Sequence, residues 1–337
     1  MKEAMFYETV DGDKVRCGLC RFRCLIDDGR RGVCGVRENS GGKLFTLVYG
    51  KAVAVNVDPI EKKPLYHVMP GSLSFSVATT GCNFRCLHCQ NYTISQPLRK
   101  GELIPGTDIP PEEIVARAVA AGCRSIAYTY TEPTIFYEYA FDTAILARQA
   151  GLKNIFVTNG YITGEALAHI APFLDAANID LKGFSERFYR EVVHATLGEV
   201  IDSILEYKRL GIWVELTTLI IPGWNDADEE LMKIARFIAE QVGVETPWHV
   251  SRFYPTHKLT DRPTTPAETL RRARQIGLDA GLRYVYEGNV PGEGGENSYC
   301  PDCHELLIRR SGYRIEENRI KQGECPKCRT TIDGIEM

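Results

Sequence analysis

From residue 73 to residue 289 the chain alternates between two kinds of stretch, and this alternation constrains the fold more than any other feature. One kind is short and rich in β-branched and aromatic residues: LSFSVATT (73–80), SIAYTYT (125–131), NIFVTN (154–159), AANIDLK (176–182), WVELTTLIIP (213–222), WHVSRFYP (248–255) and YVYEGN (284–289). The other kind is longer and has helical periodicity. Examples are PEEIVARAVAAG (111–122), with Pro and Glu in its first turn and Gly at its end, TIFYEYAFDTAILARQAG (134–151), TGEALAHIA (163–171), the material from 185 to 211, DADEELMKIARFIAEQVG (226–243) and TPAETLRRARQIGLDAG (265–281). Six or seven β-α units with short connections predict an α/β domain built on a parallel sheet covered by helices. A doubly wound sheet and a full or partial barrel both satisfy the pattern. In either, ligands bind where the strands end, at their C-terminal edge.

Conspicuous polar residues fall at those ends. They are Gly81 to Cys89 after the first strand, Tyr130-Thr131-Glu132 after the second, Thr158-Asn159-Gly160 after the third, Asp180 and Lys182 after the fourth, and Arg252 to His257 around the sixth. Side chains alternate along a strand, so Asp180 and Lys182 point the same way, either towards a ligand or as an ion pair with each other.

Eleven of the twelve cysteines form three clusters, at 17, 20, 24 and 34, at 82, 86 and 89, and at 300, 303, 325 and 328. Cys123 stands alone in an apolar stretch and is expected in the core. The opening MKEAMFYETVDGDK has no apolar signal-peptide core, and no run approaches the ~18 apolar residues of a membrane-spanning helix. A cytoplasmic, reducing location follows as the expectation, and there close cysteine pairs favour metal over disulfides. Lys and Arg total 40 against 44 Asp and Glu, a net charge of −4, which lends no support to bulk nucleic-acid binding.

The three clusters differ in ligand count. Cys300, Cys303, Cys325 and Cys328 form two C-P-x-C knuckles across a β-like hairpin, a zinc-ribbon pattern that a rubredoxin-like iron also satisfies. Cys17, Cys20, Cys24 and Cys34 suit either zinc or an auxiliary iron-sulfur cluster, with a slight preference for zinc. Six arginines crowd that module (16, 21, 23, 30, 31 and 37), as a solvated face or a docking surface. The middle set, Cys82, Cys86 and Cys89, has the spacing C-x3-C-x2-C and offers only three thiolates. Four thiolates close a structural site. Three on a cubane cluster leave one iron free for substrate or cofactor.

With its C-x3-C-x2-C loop after the first strand of a β-α domain, the chain resembles the radical S-adenosylmethionine (SAM) superfamily. The resemblance implies a 4Fe-4S cluster on Cys82, Cys86 and Cys89, SAM chelated at the open iron, and its reductive cleavage to a 5'-deoxyadenosyl radical that takes hydrogen from a substrate. The core is similar to the glycyl-radical-enzyme activase branch. Tyr130-Thr131-Glu132 stands where that branch has Gly-Gly-Glu, and Val157-Thr158-Asn159-Gly160 where it has Asp-Thr-Asn-Gly. Asp180-Leu181-Lys182 and Ile221-Pro222-Gly223-Trp224-Asn225-Asp226 match its motifs in full. The N-terminal cysteines, the run Asp58 to His67 and the Cys-rich tail extend the likeness to the AmmeMemoRadiSam-system radical enzyme family. That family is named for its neighbourhood with two other protein families.

What this implies is a partial (β/α)6 TIM-type barrel over 51–290, a small Cys-rich N-terminal module over 1–50, and a linker with a zinc-ribbon-like tail over 291–337. His88, Glu132, Thr158, Asn159, Asp180, Lys182 and His257 are the implied cofactor-binding residues. The implied partners are SAM, an electron donor such as flavodoxin or ferredoxin, a protein substrate and the neighbourhood proteins, with no membrane. The alternatives are a radical SAM enzyme acting on a small metabolite and a non-enzymatic multi-metal adaptor for RNA or protein. The substrate, the reductant and the oligomeric state are not encoded in any motif.

Overall fold

The computed structural model describes residues 1–96, 102–290, 292 and 294–337, so Pro291 and Glu293 of the expected linker lie outside the described residues. The chain divides into two compact units. The first comprises Met1–Asp58, Leu73–Ala177 and Glu199–Ile212, and the second Pro59–Ser72, Asn178–Gly198 and Trp213–Met337.

In the first unit four strands lie side by side in the order β1 (Ala54–Pro59), β2 (Leu73–Ala78), β3 (Ser125–Tyr128) and β4 (Lys153–Thr158). β3 runs parallel to both neighbours, with Ala127 opposite Ser76 on one side and Ile155 on the other. Ile126, Ala127, Ile155 and Phe156 are fully buried, as parallel strands covered on both faces require. The helices carry their signals locally. α1 (Pro111–Ala120) starts on proline with Glu112 and Glu113 in its first turn, and buries Ile114, Val115 and Ala118. α2 (Tyr137–Gln149) follows, and α3 (Gly164–Ile170) is capped by the Thr163 hydroxyl. The helix expected over 185–211 is three pieces, Glu186–Phe188 and Tyr189–Val193, which belong to the second unit, and α4 (Leu197–Arg209), which enters the first unit at Glu199; the interruption is at His194 with φ +61°. N-terminal to β1, a three-stranded antiparallel ribbon (Tyr7–Thr9, Val15–Cys17, Leu25–Ile26) and a hairpin (Arg37–Ser40, Lys43–Thr46) carry the first four cysteines or flank them.

In the second unit the strand order is β5 (Ala176–Asp180, entering this unit at Asn178), β6 (Trp213–Ile220), β7 (Trp248–Arg252) and β8 (Val285–Gly288). β7 is parallel to β6 and β8. α5 (Asp228–Phe237) and α6 (Ala267–Asp279) are the amphipathic helices the periodicity predicts. Gly277 of α6 lets the helix seat against the strands: a Cβ there would stand 2.8 Å from Val285 Cγ2 and 3.0 Å from the Trp248 ring. The tail forms the antiparallel ribbon β9 (Ser298–Tyr299), β10 (Leu306–Ser311) and β11 (Arg314–Asn318). The architecture is thus α/β with mostly parallel pairing and a Cys-rich C-terminal cluster. Among the described residues no helix is long and apolar enough to cross a membrane.

Candidate active site and metal centres

None of the twelve cysteines is joined in a disulfide. The central three lie on the loop that leaves β2, with Cys82 and Cys86 buried and Cys89 half-exposed. Gly81 opens this loop at φ +97°, and a Cβ on it would meet Val36 Cγ1 at 2.8 Å and the Cys34 carbonyl oxygen at 2.9 Å, so only glycine fits. The Gly81 amide donates to the Ile94 carbonyl (2.8 Å) and the Cys89 amide to the Cys86 carbonyl (3.2 Å). Donors converge on the sulfurs. The Phe84 amide and Asn159 Nδ2 each lie 3.4 Å from Cys82 Sγ, and Ser95 Oγ lies 3.2 Å from Cys89 Sγ. Burial pushes the Cys82 thiol up, and Glu132, Cys86 and Cys89 add to this. Such a thiol is held as thiolate only by a cation, and the donors around it suit a ligating sulfur. The residues present therefore fit a three-thiolate iron-sulfur site.

Glu132 explains how the end of β4 is aimed at this loop. Its carboxylate is fully buried. Oε1 accepts from the Thr134 amide (3.0 Å), Thr134 Oγ1 (2.6 Å) and Thr158 Oγ1 (2.8 Å), and Oε2 from the Asn159 amide (2.7 Å). Burial pushes the carboxyl pKa up against those donors. Asn159 then reaches Cys82 Sγ and also Asn83 Oδ1 (3.3 Å). The neighbouring strand end is tied in by Thr131 Oγ1 to the Thr79 carbonyl (2.9 Å) and by Asn91 Nδ2 to the Tyr130 carbonyl (2.7 Å). His88 is buried within the cysteine loop.

In the second unit Lys182 Nζ donates to Asp180 Oδ2 at 2.7 Å, with the carboxylate about a third exposed and the ammonium mostly covered. The segment is pinned by Asn225 of the Ile-Pro-Gly-Trp-Asn-Asp run. Its Nδ2 donates to the carbonyls of Lys182 (2.7 Å) and Leu219 (2.9 Å), and its Oδ1 accepts from the Ile221 amide (2.6 Å). His257 is half-buried in a turn at φ +53°, and burial followed by Lys258 lowers its pKa.

The strands of this unit hold a polar set that motif reading passed over. Glu215 is fully buried. It accepts from His249 Nε2 (2.7 Å), the Tyr66 amide (3.0 Å), the His67 amide (2.8 Å) and Trp213 Nε1 (3.2 Å). Burial raises its carboxyl, but the two histidines and the donors outweigh that and leave it below the usual value. Asn178 Oδ1 accepts from Thr217 Oγ1 (2.9 Å). Thr217, His249 and Ser251, with Glu61, Tyr66 and Glu296, line a cavity of about 180 Å³. The signal lay in the alternation: polar residues at every second position of WVELT and WHVSR contradict strands buried on both faces, unless one face lines a cavity.

The two terminal cysteine sets differ in geometry. In the tail all four ligand atoms lie within 4.8 Å of one another, with Cys300–Cys328 sulfurs 3.5 Å and Cys303–Cys325 sulfurs 3.7 Å apart. Metal–sulfur bonds of about 2.3 Å at tetrahedral angles put thiolates roughly 3.8 Å apart, so the tail matches a single-ion site. The Thr330 hydroxyl and backbone push the Cys328 thiol down to about 6, ready to ligate. Cys17, Cys20, Cys24 and Cys34 instead line a pocket with Leu19 and Ile26. Burial raises the Cys20 thiol well above its usual value and the Cys34 thiol to about 11.

A model of the Radical SAM superfamily matches residues 76–237. The chain is 49% identical over 335 residues to an uncharacterized protein of Methanocaldococcus jannaschii, covering 99% of each. It is similar to GTP 3',8-cyclase of Aquifex aeolicus, with 28% identity over 259 residues, 69% of this chain and 78% of that one. It is also similar to pyruvate formate-lyase 1-activating enzyme of Escherichia coli K12, with 21% identity over 189 residues, 53% of this chain and 75% of that one.

Proposed function

The chain belongs to the radical SAM superfamily and is one of its enzymes, and from that premise we propose that Cys82, Cys86 and Cys89 hold a 4Fe-4S cluster serving hydrogen abstraction from a protein substrate. The enzyme assignment sets aside the non-enzymatic adaptor. The observation that carries the proposal is the three-thiolate loop at the end of β2 with the Asn159 amide donating to Cys82 Sγ at 3.4 Å. When bound, the cluster and SAM supply reductive cleavage of the cofactor and a hydrogen-abstracting 5'-deoxyadenosyl radical.

The residues of the chain have separate tasks. Asn159 holds the Cys82 sulfur, and Glu132 acts through Thr158 and Asn159 by fixing the strand end that presents them. The Asp180 carboxylate and Lys182 ammonium suit the ribose hydroxyls and the methionine carboxylate of the cofactor. His88 and His257 are taken as further cofactor contacts. The tail set takes zinc, as its sulfur spacing suits.

The protein substrate is supported by the likeness to an activating enzyme, whose name states that it acts on pyruvate formate-lyase. A second reading, a small-molecule substrate, is favoured by the likeness to GTP 3',8-cyclase, which spans more of this chain. Deuterium separates them. Uniformly labelled candidate proteins and a labelled small-molecule extract are each incubated with the enzyme and unlabelled SAM, and 5'-deoxyadenosine is analysed for deuterium. Label from a protein supports the proposal. Label from the extract alone, with none from any co-expressed protein, makes this a metabolite-modifying enzyme.

A further inference from the structure

We propose that Cys17, Cys20, Cys24 and Cys34 hold a second four-iron cluster that delivers electrons to the Cys82 loop. Its role as a donor rests on the radical SAM reading above; its identity as a cluster site does not.

Three observations lead there. First, the four thiols surround one pocket whose other walls include Leu19, Ile26, Val33 and Ile135. Cys17 and Cys34 are buried and Cys20 and Cys24 half-buried, and four cysteines lining one pocket make a complete ligand set. Second, the shape of that space differs from a single-ion site. Among the described residues, the tail thiols are the set that gathers within 4.8 Å of one another. The N-terminal thiols stand around a pocket instead. A lone ion draws its four sulfurs to a common centre, whereas a cubane places each on a different iron, so its thiolates stand farther apart.

Third, the two cysteine sets adjoin. The Cys34 carbonyl oxygen would lie 2.9 Å from a Cβ on Gly81, the residue before Cys82. Arg85, inside the C-x3-C spacing, bridges the gap. Its Nη1 donates to the carbonyls of Cys82 and Phe84 (2.8 Å each), and its Nη2 to the carbonyl of Val33, the neighbour of Cys34. The half-buried guanidinium thus spans from the Cys82 loop to the Cys34 loop. Arg37 is buried, pairs with Glu138 (3.0 Å) and lines the same pocket as the four cysteines. Two arginines, Arg85 half-buried and Arg37 buried, thus stand beside the two cysteine sets.

Zinc in this position would be electronically inert. An iron-sulfur cluster takes one electron from a donor of the ferredoxin or flavodoxin class and is reoxidised by one as that electron moves on to the Cys82 site. No other co-reactant is needed.

The test removes the central set and asks what remains. A variant with Cys82→Ala, Cys86→Ala and Cys89→Ala is reconstituted anaerobically with iron and sulfide. It should retain about four irons per chain and, when reduced, a cluster paramagnetic signal that SAM does not alter. Adding Cys20→Ser and Cys24→Ser should abolish that iron and leave the zinc of the tail. The wild-type protein, isolated anaerobically, provides the arm that does not depend on a variant folding: about eight irons and one zinc are expected. An iron-free triple variant together with wild type holding two zincs would overturn the proposal. If the radical SAM reading itself failed, wild type would show no SAM-responsive signal, while the triple variant would still hold its iron.

Discussion

Asn159 Nδ2 donates to Cys82 Sγ at 3.4 Å, and the Asn159 backbone is held in place by Glu132 Oε2 at 2.7 Å. A hydrogen bond to a ligating sulfur draws negative charge from the cluster and raises its reduction potential. Asn159→Leu keeps the volume but removes the donor. It should lower the potential of the Cys82 cluster in a titration followed by paramagnetic resonance, with Glu132 still satisfied because its bond is to the backbone. An unchanged potential would show that the amide does not act on the sulfur.

Asp180 and Lys182 pair with each other at 2.7 Å, which alone would be a strand-end ion pair. The pair is partly exposed, so its worth to stability is about 0–1 kcal/mol. Asp180→Ala should therefore leave thermal stability nearly unchanged without cofactor. If Asp180 binds SAM, calorimetry should show weaker binding by ~1.5–3 kcal/mol, as for a hydrogen bond to a charged group. A large fall in stability with intact binding would assign the residue to the fold.

These residues were legible because each belongs to a short contiguous string: three cysteines in one loop, Asp-Leu-Lys at one strand end, Thr-Asn-Gly at another. The sequence also announced the strand–helix alternation, since period and end signals are local. What could not be read was who touches whom. The bond from Asn159 to Cys82 joins residues 77 apart in the chain. Asn225 pins Asp180-Leu181-Lys182 from 43 residues beyond Lys182. Glu215 and His249 lie on different strands, and only their pairing turns two unremarked polar residues into a buried hydrogen-bonded centre.

His67 gives a pH signature to the second unit. It is fully buried, stacked on Trp213 and bonded to Tyr286 OH and the Asp333 carbonyl, both at 2.6 Å. Burial is the main cause that lowers its pKa to about 4. In the unfolded chain a histidine titrates near 6.5. As pH falls below that value the unfolded state takes up a proton that the folded state refuses until about pH 4. Stability is therefore fully kept above pH ~6.5 and falls through this window, by about 3 kcal/mol at its foot. Glu215, which accepts from the His67 amide, is held below the usual carboxyl value despite its burial. Melting curves of wild type and His67→Gln should converge as pH drops from 7 to 4.5. A constant difference between them would mean that His67 carries its proton in the folded protein.

The central claim is that Cys82, Cys86 and Cys89 form a cluster site at which SAM is reductively cleaved. The direct measurement is 5'-deoxyadenosine, quantified by mass spectrometry after anaerobic incubation of the reconstituted, reduced protein with SAM. Wild type should form it and Cys86→Ala should form none, while Cys123→Ala, a change at the lone core cysteine, should form it at the wild-type rate. Cofactor cleavage that persists in Cys86→Ala would contradict the account.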